Sequence, residues 1–301
     1  MAGIATALLS ALPSGEPQAE HGDGARMLVR LERDRAHALG HGFERWRMIG
    51  ARDDTVTGIW RARTLRAARP NAPDWTVVIL GGIGTDDQAA LLVPDSLPVS
   101  VLAVSWPWKG PRQMSQWEFV SNAPAIRAAL LRTPPALASG VEAVRQARPG
   151  TRVALVGASL GVPPAVAALP LAGADALVLV DGAADLERLL RSEAARALRE
   201  GSITAKFAQA STPLVARMLE PLEPSRRDAA ERDIPTLIVD AEREDRIPSA
   251  CVAALHARFP HATLARHPGG HLRPEDHRQV NAIVTTVWRW LRDGGAGRSS
   301  P

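Results

Sequence analysis

Arg152-Val153-Ala154-Leu155-Val156-Gly157-Ala158-Ser159-Leu160-Gly161 is the stretch on which the reading of this chain turns. Five apolar residues in six, rich in valine, predict a strand buried on both faces. The Gly-x-Ser-x-Gly spacing that ends it mounts a serine on a sharp turn between strand and helix. Glycines at 157 and 161 let the next helix pass close behind the turn while the serine side chain faces outward. Ser159 is therefore the candidate nucleophile. Glycine also marks ordinary tight turns, so the surrounding sequence has to support the assignment.

Working outward, the chain alternates strand-like and helix-like segments. Phe43 to Ala51 and Thr57 to Thr64 read as an opening hairpin across Arg52-Asp53-Asp54. Trp75 to Leu80 and Val99 to Ser105 are apolar and β-rich, and Leu137 to Ala147 has helical spacing up to Pro149-Gly150. Beyond Ser159 come a short helix over 161–169, a strand at Ala176 to Val180, a helix over 184–200 and a strand at Thr236 to Val239. A helix from Ser249 to Arg258, a strand from Thr263 to Arg266 and a last helix through Trp290 complete the series. Apolar strands joined by long crossovers predict an α/β fold, with a mostly parallel central sheet and helices on both faces. Ligands of such sheets meet the carboxyl ends of the strands, and Ser159, Asp245 and His271 each follow a predicted strand.

The 301 residues suffice for one large domain, expected over 43–301 after an N-terminal extension or helix over 1–42. Segment 202–233 is interrupted by Pro213, Pro221 and Pro224 and reads as a small helical lid or a plain surface connection. A net charge of +4 is small for this length, and lysine occurs only at 109 and 206, which points to an arginine-biased composition. Basic residues are interspersed with acids and form no block with aromatics, so no nucleic-acid partner is expected. The single cysteine, Cys251, excludes an internal disulfide. Met1 to Leu12 lacks a basic leader, and no apolar run is long enough to span a membrane, so the expectation is a soluble, cytoplasmic protein without a membrane partner. The sequence also lacks a phosphate-binding loop, a dinucleotide fingerprint and metal-spaced Cys/His motifs, so no cofactor and no metal are expected. It leaves a homo-oligomer open.

The Gly157-to-Gly161 elbow, the Asp245-Arg246-Ile247-Pro248 segment after a strand, and His271 after Pro268-Gly269-Gly270 occur in the order nucleophile, acid, base. In this the chain resembles the α/β-hydrolase superfamily, over Phe43 to Leu291. The resemblance implies a predominantly parallel sheet with an antiparallel opening strand, and activity on esters, amides or related bonds.

The chemistry also follows from the residues. A serine hydroxyl needs a neighbouring base. His271 alone among eight histidines follows a Gly-Gly turn after the last strand, with His267 nearer the strand end. An acid must then accept from the second imidazole nitrogen. Asp245 is preferred as the closer match to the superfamily's acid segment. Asp240 and Asp181 are the alternatives, and Glu242 and Glu244 are placed behind them. The Leu160 amide supplies one oxyanion donor by the geometry of the elbow. Gly82 or Ile83, in the Gly81-Gly82-Ile83-Gly84 loop, falls where the superfamily supplies the second. Trp106 and Trp108 flank Pro107 and are candidates either for lining the cleft or for packing, with Trp117, Phe119, Met114 and Met218 as further candidate neighbours.

The expected function is a cofactor-independent serine hydrolase, most simply a carboxylesterase acting on a small-molecule ester or other acyl substrate through an acyl-enzyme. A peptidase, thioesterase or acyltransferase on the same site, and a noncatalytic binding protein of the same fold, are the alternatives.

Overall fold

The computed structural model describes residues 28–36, 39, 42–50, 55–63, 74–82, 85–108, 110, 116–199, 205–226 and 233–295. Among these residues nine strands form one sheet: β1 (Leu28–Arg35), β2 (Phe43–Gly50), β3 (Thr55–Arg61), β4 (Trp75–Leu80), β5 (Ser100–Val104), β6 (Arg152–Ala158), β7 (Ala176–Val180), β8 (Thr236–Ala241) and β9 (Thr263–His267). Their order is β1-β2-β3-β5-β4-β6-β7-β8-β9. The pairs from β1 through β3 to β5 are antiparallel, and every pair from β5 to β9 is parallel.

Among the described residues these α-helices accompany the sheet: α1 (Gln116–Ala147), α2 (Val162–Ala172), α3 (Leu186–Arg199), α4 (Ala205–Leu219), α5 (Ser249–Arg258) and α6 (His277–Arg292). Because β4 to β8 are buried on both sides, each face must be covered. On one face Leu137, Val141 and Val144 of α1, Val162 and Val166 of α2, and Leu255 of α5 pack against Leu102, Leu155 and Leu177. On the other, Ile283 and Trp290 of α6 and Ala89 and Ala90 of the 3-10 turn Asp86–Leu92 pack against Val77, Val101 and Val178.

Parallel register gathers the functional loops. Leu80 lies opposite Gly157, Ala158 opposite Val180, Val180 opposite Val239, and Ala241 opposite His267. The segments after β4, β6, β7, β8 and β9 therefore leave the sheet along one edge, bringing residues far apart in sequence to one place.

Two boundaries differ from the sequence reading. Leu28–Arg35, expected within an N-terminal extension or helix, is a strand that pairs along β2. Its alternating Leu-Val-Arg-Leu-Glu-Arg pattern is too short and charged to stand out alone. Helix α1 begins at Gln116, well before Leu137, and holds Pro124, Pro134 and Pro135 inside it. Proline costs a helical hydrogen bond and reads as a break, but burial of the helix against the sheet outweighs that local preference. Within 202–233, the described residues form α4 and 3-10 turns at Glu220–Leu222 and Pro224–Arg226. Among the described residues no helix is long and apolar enough to cross a membrane.

Candidate active site

Ser159 sits at φ 52°, a left-handed conformation that L residues avoid. Close packing holds it there. A Cβ at position 161 would lie 2.1 Å from the Leu80 carbonyl oxygen, and one at 157 would lie 2.7 Å from the Gly161 carbonyl oxygen. Only glycine fits at either place, so the two glycines of the sequence motif are explained by the approach of the β4 loop and of α2 to the turn.

The serine hydroxyl lies 2.9 Å from Nε2 of His271. Nδ1 of the same ring lies 3.1 Å from Oε2 of Glu244. An ionised carboxylate can only accept, so Nδ1 donates to Glu244, and in the neutral ring Nε2 is then left as the acceptor for the Ser159 O–H. The other oxygen of Glu244, Oε1, accepts from the amides of Arg246 at 2.7 Å and Ile247 at 3.0 Å. Burial by itself pushes the Glu244 carboxyl up, but the hydrogen bonds from His271, Ile247 and Arg246 outweigh it and hold the group below the usual glutamate value.

The structure thus gives the imidazole contact to Glu244 and not to Asp245, a change of one position from the sequence expectation. Asp245 is half exposed, and its Oδ1 accepts the backbone N–H of His271 at 3.1 Å. That hydrogen bond is the main reason its carboxyl is held below the ordinary aspartate value. The loop after β8 turns Glu244 inward, and the extra methylene lets it reach the ring. The one available signal was a second carboxylate adjacent to the expected one. Asp240 instead pairs with His256 at 2.7 Å, and Asp181 with His267.

The remaining candidates surround this chain of contacts. Gly82 is described, and the loop carrying it abuts the elbow through Leu80 and Gly81, whereas Ile83 lies outside the described residues. Trp106 is buried and donates from Nε1 to the Gly81 carbonyl at 2.9 Å, so it braces that loop. Trp108 is half-buried. Met114 and the side chains of Trp117 and Phe119 lie outside the described residues, and Met218 is buried against Leu214.

A small cleft of about 60 Å³ adjoins the elbow, bordered by Trp106, Leu160, Leu186, Leu190, Leu219 and Leu222 among others, and every bordering side chain is apolar. Sequence reasoning missed the leucines of α3, since they match the core-facing stripe of any amphipathic helix. Glu223 fixes this helix. Its two carboxylate oxygens accept from the amides of Asp185 at 2.9 Å and Leu186 at 2.7 Å at the start of α3.

Among the described residues, Asp181, Glu244 and His271 are the group whose donor atoms come within 4.8 Å of one another, a spacing that could suit a cation. All three are already committed to hydrogen bonds with Ser159, His267 and loop amides.

No family model and no curated protein matches the chain. Solved structures do. A Mycobacterium tuberculosis puromycin-hydrolyzing peptidase aligns over 84% of this chain and 39% of its own length, with a TM-score of 0.57 at 15% identity. The Pyrococcus furiosus esterase Pf2001 aligns over 90% of this chain and 99% of its own, with a TM-score of 0.54 at 15% identity. The protein TT1662 from Thermus thermophilus aligns over 87% and 99%, with a TM-score of 0.52 at 18% identity. The chain spans well under half of the peptidase and nearly all of the other two. Together with the strand order and the elbow, these similarities show that the chain has the α/β-hydrolase fold.

Proposed function

We propose that the protein is a serine hydrolase that cleaves carboxylic esters with apolar acyl groups through an acyl-enzyme. The continuous contact from Ser159 Oγ through His271 to Glu244 carries this reading. Ser159 attacks the ester carbonyl as its proton passes to Nε2 of His271, and Glu244 stabilises the imidazolium so formed. The resulting oxyanion is met by the Leu160 amide, in the 3-10 turn Ser159–Gly161 that leads into α2, and by an amide of the Gly82-Ile83 segment. His271 then returns its proton to the leaving alcohol. Water enters, gives a proton to the same nitrogen, and attacks the acyl-enzyme; collapse of the second tetrahedral intermediate releases the acid and restores Ser159.

The wholly apolar cleft beside Leu160 favours an ester over a peptide substrate, since it offers nothing to a charged terminus or an extended backbone. Hydrogen-bond contact between Ser159 and His271 supports turnover over a binding role. Incubation with a fluorophosphonate probe tests the reading. Saturable labelling at Ser159, absent in Ser159→Ala, is expected; a folded wild-type protein that resists the probe would count against it.

A further inference from the structure

A second histidine-carboxylate pair lies beside the first and takes no part in the proton path from Ser159. His267 ends β9 and Asp181 follows β7, so the pair closes over the end of β8. Nε2 of His267 lies 2.9 and 3.0 Å from the two oxygens of Asp181, and neither side chain has any exposed surface. Nδ1 of His267 lies 3.2 Å from the Pro268 carbonyl oxygen. A carboxylate and a carbonyl can only accept, so both ring nitrogens donate, and only the imidazolium has two N–H groups. The direction of its pKa agrees. Burial alone would push His267 down, but the hydrogen bond and charge of Asp181, the Pro268 carbonyl and the charge of Glu244 together raise it above the ordinary histidine value.

Two links run from this pair to His271. Oδ2 of Asp181 accepts the amide N–H of Leu272 at 2.6 Å, fixing the residue that follows the base. Asp181 also brings a second carboxylate oxygen within 4.8 Å of both Glu244 and His271. Two uncompensated carboxylates would favour the protonated ring and block its acceptance of the Ser159 proton at neutral pH. Of the other carboxylates nearby, Asp240 is pushed up mainly by burial, is hydrogen-bonded to His256 at 2.7 Å, and feels the charges of Asp181 and Arg266, while Asp245 is half exposed with Arg273 3.6 Å away. Asp181 adopts φ 46°, a left-handed conformation that aims its carboxylate into this cluster and that aspartate tolerates better than most residues.

We infer that Asp181 and His267 form a positioning pair, which anchors the His271 loop at Leu272 and cancels the Asp181 charge, so that Glu244 is the one buried net negative neighbour of the His271 ring. The inference rests on the serine-hydrolase reading of the site.

His267→Gln keeps a donor for Asp181 but removes the positive charge, and Asp181→Asn with His267→Gln replaces the ion pair by two neutral amides. The rate constant for fluorophosphonate labelling of Ser159 is measured against pH in both variants and in the wild type, with thermal unfolding as a check on folding. In His267→Gln the acidic limb is expected to move up by about one pH unit or more, which is about tenfold in rate at a pH on that limb. In the double variant it returns close to the wild-type position. A role in packing alone would lower the plateau and leave the limb in place, and that result overturns the inference.

Nitrogen-15 NMR of the wild type at pH 7 provides a test that needs no variant: both ring nitrogens of His267 carry protons, and a neutral imidazole there overturns the inference as well. If the wild-type protein does not label at all, the hydrolase reading fails instead. The ring resonances of His271, followed over the same pH range in the three proteins, then decide the charge argument by themselves.

Discussion

Glu244→Gln separates the two adjacent carboxylates of the β8 loop. Oε2 of Glu244 lies 3.1 Å from Nδ1 of His271, and the side chain is only 15% exposed. Opposite unit charges about 3 Å apart attract by about 5 kcal/mol at an effective dielectric near 20, and this attraction is realised only when His271 becomes an imidazolium in the transition state. Glutamine keeps the size and can keep a hydrogen bond through its amide oxygen, which recovers part of that energy. At about 1.4 kcal/mol per factor of ten, the expected loss in kcat/KM is about 10³-fold. Asp245→Asn should behave differently. That side chain is 52% exposed; it accepts the backbone amide of His271, as an asparagine oxygen also can, and faces the exposed Arg273 at 3.6 Å, a pair of little weight at the surface, so the loss should stay below about tenfold. Steady-state hydrolysis of p-nitrophenyl butyrate measures both variants, with circular dichroism to show that each is folded. A drop in Asp245→Asn as large as that in Glu244→Gln, or a Glu244→Gln enzyme within tenfold of wild type, would refute the assignment of Glu244 as the acid.

Leu190→Asp puts a charge on the wall of the apolar cleft, so the gain in kcat/KM with acyl chain length, about fourfold per buried methylene in the wild type, should flatten across a p-nitrophenyl ester series; parallel slopes would place the acyl group elsewhere. Gly161→Ala drives a Cβ toward the Leu80 carbonyl and should lower stability by about 1–3 kcal/mol while slowing fluorophosphonate labelling of Ser159, both measurable by urea unfolding and gel fluorescence; an unchanged unfolding midpoint would show that the elbow is not closely packed. The raised pKa of His267 gives a pH dependence of stability with a definite sign. The stabilisation from protonated His267 is complete below its unfolded value of about 6.5 and is lost as pH rises through the raised folded value. The difference in urea midpoint between wild type and His267→Gln should therefore shrink between pH 6 and pH 10, and a difference that widens would reverse the assigned charge.

Most of the parallel half of the sheet was legible because its inner strands are short valine- and leucine-rich runs bounded by Gly, Pro or Asp, as in β6 and β7, whereas β9 is Thr-Leu-Ala-Arg-His. Ser159 and His271 were legible for a related reason, since glycine spacing records where the backbone must pass closely, and those contacts appear directly at Gly157 and Gly161. Choosing between Glu244 and Asp245 depends on the path of one loop after β8 and on a single methylene, which neither periodicity nor spacing encodes. Similarly, β1 is stabilised mainly by its pairing with β2, and α1 extends through Pro134-Pro135 because the sheet beneath it supplies the burial. Both are tertiary effects that local propensity misstates.

Three histidine-carboxylate pairs crowd the carboxyl ends of β7, β8 and β9: His256 with Asp240, His267 with Asp181, and His271 with Glu244. Similar chemistry in three places raises the question of what makes one of them a base. The answer lies in the second nitrogen. In His267 it faces a carbonyl oxygen, so the ring is held doubly protonated and cannot take a proton. In His271 it faces the Ser159 hydroxyl, which can donate to it, and in the proposed mechanism the carboxylate on the far side of the ring stabilises the charge once transfer has occurred. His256, on helix α5, pairs with Asp240 at 2.7 Å with nearly a third of its side chain exposed. The partner of the second nitrogen, which no local sequence motif specifies, thus separates the proposed base His271 from the proposed buried cation His267.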